Sequence, residues 1–504
     1  MSIFFKYLTS VLILVLLSFF YLFYTDSGKT HIYKYVEKKL SKKTDLRIKI
    51  ESISLQNYPI IIANMHVEEK FKLIVIGQID DELLDINYTL TGNCIQINNC
   101  KINDNINIKG QAEGSFSKLN IAGKGKALGG DIHYKAIKFP NKVENLKLTM
   151  SDVNSSKLLI LLGQESLIEG KANIHVDLKH MSKNKRQGTF TYEVKDKYFS
   201  NIPLHLYTKV HLNNMQQYFT MDISSPYFVL TVFNGEYLQD KKRAKASYIL
   251  DVKNLAPLET LLGYAYQGPF YARGEVHYDA HLRISGLSKS YGGMLDFLFE
   301  KDTLQINLAS VSFKNIMNLL DYPSLIDAET IGTIHYYFHT DILNINTQLK
   351  KAKFLPSKLA NVIHEKTSIA ILDERFDNST LLAEYQQNML SGDLKLVANN
   401  GHILLTNTGI NTSKNTIDAS FDFKLQAQEF SGKIHGSLSE PEVSLDMQKL
   451  IQYQMTKQVD TLVGESNRKN AEDVIEQIPM GGTAKDVATD MATQTASSLM
   501  EAFF

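Results

Sequence analysis

The sequence predicts a mainly β protein: an elongated antiparallel repeating β-groove with an N-terminal transmembrane helix, short interspersed helices and C-terminal helices. Three observations predict it. After residue 45, apolar residues recur at every second position through most of the chain, the mark of strands with one apolar and one polar face. The composition is low in breakers and rich in strand formers, with 10 Pro, no Trp, and 25 each of Tyr and Phe in 504 residues. A helix–loop–strand unit also recurs along the chain, so the molecule grows by repetition; single cores stop growing near roughly 250–300 residues.

The first element is a membrane helix. From Tyr7 to Tyr24 the chain runs 18 residues without a charge, and Ile3, Phe4 and Phe5 lengthen the apolar stretch toward the ~20 residues that span a bilayer. Leu8, Leu12, Leu14, Leu16, Phe19 and Phe20 are its anchor residues. A cleaved signal peptide would have a shorter apolar region followed by small residues, and FYTDSGKT offers no such site. Residues 1–28 are therefore read as an uncleaved single-pass anchor and 29–45 as a helical extension. The lysines after the anchor, Lys29 to Lys43 against Lys6, favour a cytoplasmic body by the positive-inside count. Large domains cross membranes largely regardless of that count, and a body outside the cytoplasm is the reading adopted.

The body, 46–446, is read as strands. LRIKIESISL alternates at Leu46, Ile48 and Ile50, then slips register before Ile53 and Leu55. KANIHVDL aligns Ala172, Ile174, Val176 and Leu178, and PLHLYTKVHL aligns Leu204, Leu206, Val210 and Leu212. GEVHYDAHLRI aligns Val276, Tyr278, Ala280, Leu282 and Ile284 as one strand, and NTIDASFDFKLQA aligns Ile417, Ala419, Phe421, Phe423 and Leu425. At ~12–14 residues per strand and turn, the body would hold about 30 strands.

Helical interruptions begin at Ser155, Leu255 and Asn315, each ending at Gly163, Gly263 or Asp321 before a strand; Gly suits such an end because it tolerates left-handed dihedrals. GSFSK at 114–118, GLSKS at 286–290 and GSLSE at 436–440 each follow an alternating run and are read as strand turns or bulges. Pro441 then sits where a missing donor is tolerated, opening a short terminal strand. Beyond it, 447–504 has apolar residues at helical intervals and is read as amphipathic helices that could dock on the body, a membrane surface or an outer-membrane or periplasmic protein.

Charge and motifs exclude several functions. With 54 basic and 54 acidic residues the chain lacks the electrostatic footprint of a nucleic-acid binder. Cys94 and Cys100 flank a possible turn at Asn98-Asn99, and spacing alone leaves a disulfide and two free thiols both open. Ser115 and Lys118 have the spacing of a serine–lysine nucleophile but lie in an alternating region instead of at a helix start. The pairs His277/His281 and His335/His339 would share a helix face, but on strands they would lie roughly 13 Å apart, too far for one metal. No Walker, H-E-x-x-H or G-x-S-x-G pattern occurs. The chain is read as a non-enzyme without cofactor or metal.

What remains is the apolar face. A sheet curled about its long axis lines a trough that either fills itself or accepts acyl chains, each buried methylene being worth roughly 0.8 kcal/mol. Candidate lining residues are Leu204, Leu206, Val210, Leu212, Val276, Tyr278, Leu282 and Ile284, then Ile334, Tyr336 and Phe338, and Ile417, Phe421, Phe423 and Leu425. One rival is a scaffold or chaperone for outer-membrane protein assembly. Another is a membrane-tethered hydrolase, for which no acid, base and nucleophile cluster is visible.

Taken together, the anchor, LRIKIESISLQNYPIIIANMHVEE with its Pro59, the array KGQAEGSFSKLNIAGKGKALGGDIHYKAIKF, the LLGQESLIEGKANIHVDL unit and the closing GKIHGSLSEPEVSLDMQKL resemble the AsmA-like family of bacterial envelope proteins, of the AsmA, TamB and YhdP type. That resemblance implies an inner-membrane protein with a periplasmic body of repeating β-groove modules. It also implies a part in phospholipid transport towards the outer membrane or in maintaining that membrane, and it supports the periplasmic orientation.

Overall fold

A computed structural model describes residues 37–38 and 47–446, except 58, 69, 81–82, 98–99, 116, 162–168, 184, 200–201, 323, 358–359, 362–363, 365–368, 427 and 438–440. The anchor, all but two residues of the helical extension, and the C-terminal segment 447–504 lie outside the described residues. So do the partner readings attached to them.

The described residues form 26 strands, and the chain divides into two compact units. The first is residues 1–250 with 277–280; the second is 251–276 with 281–504. In the first, β1 (Ile48–Asn57), β2 (Ile60–Val67), β3 (Phe71–Asp80), β4 (Leu83–Ile97), β5 (Cys100–Ser115), β6 (Lys118–Ala127) and β7 (Gly130–Lys138) follow one another. They continue as β8 (Lys142–Asn154), β9 (Lys171–Ser182), β10 (Arg186–Phe199), β11 (Ile202–Asn213), β12 (Gln216–Ser224) and β13 (Phe228–Leu238). Each pairs antiparallel with the next. β14 (Arg243–Val252) follows in sequence; β15 (Phe270–Asp279) belongs to the second unit up to Val276.

The second unit repeats the plan. It comprises β16 (His281–Ser288), β17 (Met294–Glu300), β18 (Thr303–Ser312), β19 (Ile326–Tyr337), β20 (Ile342–Phe354) and β21 (Ser379–Gln386). It closes with β22 (Met389–Ala398), β23 (Gly401–Asn411), β24 (Thr416–Leu425), β25 (Gln428–Ser437) and β26 (Pro441–Asp446), again antiparallel neighbour to neighbour. The helical interruptions and the connection 355–378 occupy residues that a count at ~12–14 per strand and turn gives to strands, so there are fewer than expected.

The period-two pattern becomes burial directly. In β9, Ala172, Ile174, Val176 and Leu178 are buried while Lys171, Asn173 and His175 are exposed, as side chains on successive residues must point to opposite faces. The register slip in β1 is a bulge between Ile50 and Ser52, which adds one residue and keeps both halves facing inward. GSFSK closes β5: Gly114 takes φ 125°, and the Ser115 hydroxyl pairs with that of Ser117 at 2.8 Å and accepts from the Lys118 amide at 3.2 Å. GSLSE closes β25 with Gly436 at φ 99° opposite Pro441, the first residue of β26.

The three helical interruptions are α1 (Ser155–Leu161), α2 (Glu259–Leu262), preceded by a 3-10 turn at Ala256–Leu258, and α3 (Phe313–Leu319). Gly263 ends α2 at φ 73°, its N–H donating to the Glu259 carbonyl. Ser312 caps α3, its hydroxyl accepting from the Asn315 amide, and Asp321 beyond it takes φ 59°. Gly163 lies outside the described residues.

The strand expected over 276–284 is instead two. The chain reverses at Ala280, φ 60°, so Val276 and Tyr278 lie on β15 and Leu282 and Ile284 on β16. Gly274 closes this hairpin: a side chain there would overlap the Ser285 carbonyl. His277 and His281 therefore fall on different strands, not four residues along one, and His339 falls beyond the end of β19. Cys94 stands opposite Asn103 and Cys100 opposite Ile97, so the two cysteines are not cross-strand partners.

Candidate functional site: the apolar sheet faces

The strand registers order each apolar face into rows. In the first unit one row runs Ile53, Ala63, Val75, Tyr88, Gly110, Gly123, Tyr134, Leu148, Val176, Phe190, Val210, Phe219, Gly235, one residue from each of β1 to β13. From β2 to β9 this face is closed. Tyr88 is 2% exposed, Val176 1% and Ile108, in the adjacent row, 0%, and one continuous core joins residues of β1 through β11.

Gly110 and Gly123 in that row make room for its two tyrosines. A side chain at Gly110 would overlap the Tyr88 ring, and one at Gly123 the Tyr134 ring. The phenols lie over the glycine strands and meet at 2.5 Å between hydroxyls. Burial pushes the Tyr88 phenol up to about 12. Burial and the neighbouring Tyr88 raise the Tyr134 phenol well above the ordinary range. Both stay neutral over any physiological pH and act as core packing.

The second unit closes at one end only. There Leu349, Leu396, Phe423, Leu425 and Phe430 are buried, with the Phe423 and Phe430 rings stacked at 4.6 Å. The connection between β20 and β21, residues 355–378, packs into the same core through Ala360, Ile369, Ile371 and Phe376. Phe376 exchanges backbone hydrogen bonds with Ala352 of β20 at 2.9 and 3.0 Å. It also bridges Ala398 of β22, so the connection takes a place in the ladder beside β20 and β22. Its ring meets that of Phe354 edge to face at 5.9 Å.

Towards the other end of the same strands the face opens. A row of apolar residues crosses nine strands: Ile284, Phe299, Leu304, Tyr336, Leu343, Tyr385, Leu390, Ile410 and Ile417. Each is only half-buried. One row further in, Phe297, Ile306, Ile334 and Ile345 are half-buried as well. The rim carries an aromatic group: Phe338, 50% exposed, stands edge to face with Tyr336 at 4.6 Å and Phe299 at 5.6 Å. The Tyr336 hydroxyl donates to Asp341 at 2.7 Å, and that bond raises its pKa.

The residues singled out from sequence divide between these settings. Ile284, Tyr336 and Ile417 lie in the open row and Ile334 in the next, while Leu282 and Phe338 are exposed at its rim. Phe421 is half-buried midway, and Phe423 and Leu425 belong to the closed core. In the first unit Leu204 and Leu206 are core, and Val210 and Leu212 half-buried at its margin. On β15, Val276 is half-buried and Tyr278 exposed. Phe299, Leu304, Leu343, Tyr385, Leu390 and Ile410 were missed. The signal for two of them was present, since LDFLFE and TLQINL alternate on either side of Lys301-Asp302.

Among the described residues no three His, Cys, Asp or Glu side chains converge on a metal-sized point, and no helix is long and apolar enough to cross a membrane. No family model, no curated protein and no solved structure matches this chain.

Proposed function

We propose that this chain is an inner-membrane-anchored periplasmic β-groove protein that carries or shields lipid acyl chains, contributing to phospholipid transport between inner and outer membrane and to outer-membrane homeostasis, without catalysis. The observation that carries the reading is the half-buried apolar row from Ile284 to Ile417. A contiguous apolar surface of this extent in water is ordinarily covered by something. An extended acyl chain laid along it gains roughly 0.8 kcal/mol per methylene removed from water. The closed core around Phe376 and Phe423 bounds the row along the strands, so a chain laid on the row lies at the open end. The resemblance to the AsmA-like family and the apolar stretch Tyr7 to Tyr24 support the membrane setting.

Mass spectrometry of lipids retained by the full purified chain tests the reading. The wild type retains phospholipid, and Leu304→Glu with Leu390→Glu retains several-fold less at unchanged folding. Equal lipid in both proteins contradicts it.

A further inference from the structure

The polar face of the first unit holds a cavity of about 710 Å³ that the acyl-chain reading does not use. Its lining includes Tyr88, Gly110, Gly123 and Tyr134 and the residues on either side of each of these in sequence. Along one wall Lys109 stands directly opposite Lys124, with His133 next in register. Along the other, Lys135 stands directly opposite Lys147. His175 completes the rim, its ring bonded to the Thr149 hydroxyl at 3.1 Å.

Like charges placed directly opposite on neighbouring strands repel; where lysines are opposed elsewhere in the first unit, Lys171 against Lys195, a carboxylate is at hand, and several other lysines of the chain also meet one. Lys72 meets Glu51, Lys195 meets Glu193, Lys245 meets Glu236 and Lys351 meets Glu329. One row beyond the cavity, Lys126 faces Asp131. Within the cavity no carboxylate contributes to the lining. Of the nearby acids, Asp177 pairs with Lys147 at 3.5 Å and Asp85 accepts from Gln111 at 2.9 Å, and Glu113 stands opposite Asp85 one row beyond the lining. Lys109, Lys124 and Lys135 make no ion pair among the described residues. The chain as a whole carries no net charge, so this concentration of unmatched cations is local.

We propose that this cavity is a binding site for a phosphate-bearing anion, held between the Lys109–Lys124 and Lys135–Lys147 pairs. A phosphate accepts from the ammonium groups on both sides, relieving the repulsion within each pair; the lysines are solvent-exposed, so binding weakens as ionic strength rises. The neutral polar side chains of the walls, Asn87, Thr89 and Gln111 among them, supply further donors. The same chemistry is offered by a phospholipid headgroup and by a soluble phosphorylated compound. The site lies in the first unit and the acyl row in the second, so the proposal does not depend on the acyl-chain reading.

The test uses the full chain in non-ionic detergent at low ionic strength. Wild type, K109Q/K124Q and K126Q are titrated with inorganic pyrophosphate, with chloride at matched ionic strength, and with mixed micelles of phosphatidylglycerol or of uncharged diacylglycerol. The wild type and K126Q are expected to bind pyrophosphate and gain thermal stability, and K109Q/K124Q to bind at least about tenfold more weakly. Without any ligand, K109Q/K124Q is expected to melt at or above the wild-type temperature, because a repulsion has been removed. Phosphatidylglycerol binding lost with the same two lysines assigns the site to a lipid headgroup; binding of pyrophosphate alone assigns it to a soluble phosphate. Equal responses in wild type and K109Q/K124Q, or no response to either phosphate probe beyond that to chloride, overturn the proposal.

Discussion

Tyr88 of β4 and Tyr134 of β7 meet hydroxyl to hydroxyl at 2.5 Å, and the two strands between them contribute only glycine at that level of the sheet, Gly110 and Gly123. The Tyr88 ring could not lie where it does if Gly110 carried a side chain, nor the Tyr134 ring if Gly123 did. Tyr88→Phe is expected to cost ~1 kcal/mol through the lost hydroxyl pair. Gly123→Ala, which drives a methyl into a ring held on its far side, is expected to cost about 1–3 kcal/mol as overpacking. Chemical denaturation of the two variants checks the order, with the glycine variant the less stable.

The buried phenols also set an alkaline limit. Burial pushes Tyr88, Tyr248 and Tyr291 up to about 12, above the ~10 of an unfolded tyrosine. The folded state therefore holds these protons more tightly than the unfolded chain. Their contribution to stability is complete below pH ~10 and falls away as pH rises from ~10 through about 12. Melting temperature followed across that window should drop, and tyrosinate absorbance in the folded protein should lag behind that of the unfolded chain.

Phe376 is the residue through which the β20–β21 connection enters the ladder, fully buried between Ala352 and Ala398. Phe376→Ala is expected to cost ~3–5 kcal/mol and to speed hydrogen exchange in the second unit first. Exchange rising equally in β4 to β9 would contradict that placement.

Charge on an apolar face separates its closed from its open part. Ile108→Asp buries a carboxylate in a core position that is 0% exposed and is expected to prevent folding. Leu343→Asp sits in the half-buried row, where the carboxylate stays in contact with water, and should cost about 1–2 kcal/mol while leaving the strands intact. Circular dichroism and soluble yield distinguish the two; equal loss in both would mean the row is as closed as the core.

The alternation carried the strands well because burial here follows it residue by residue: Ala172, Ile174, Val176 and Leu178 are all core. The turn at 114–118 and the end of β25 at Gly436 were legible for a similar local reason, Gly114 and Gly436 supplying positive φ. The hairpin at Ala280 was not, since Tyr-Asp-Ala-His carries no Gly, Pro or Asn-Gly and the apolar alternation runs unbroken across it. Nor was the difference between a closed and an open face. Phe423 and Ile417 are six residues apart on one strand, on one face, and only the Phe376 segment and its neighbours decide that the first is covered. The lysine pairs of the cavity were equally hidden, because Lys109 and Lys124 become neighbours only through the pairing of β5 with β6.

The open row is the feature on which the acyl-chain reading turns. Photo-crosslinkers placed one at a time at Leu304, Leu343 and Ile410 in the full chain, with Asn344 and Asp418 on the opposite face of the same sheet as controls, measure directly what lies against it in living cells. Adducts with the mass of phospholipid are expected from the three apolar positions and none from the controls. Peptide adducts in place of lipid, or lipid adducts equally from both faces, would contradict it.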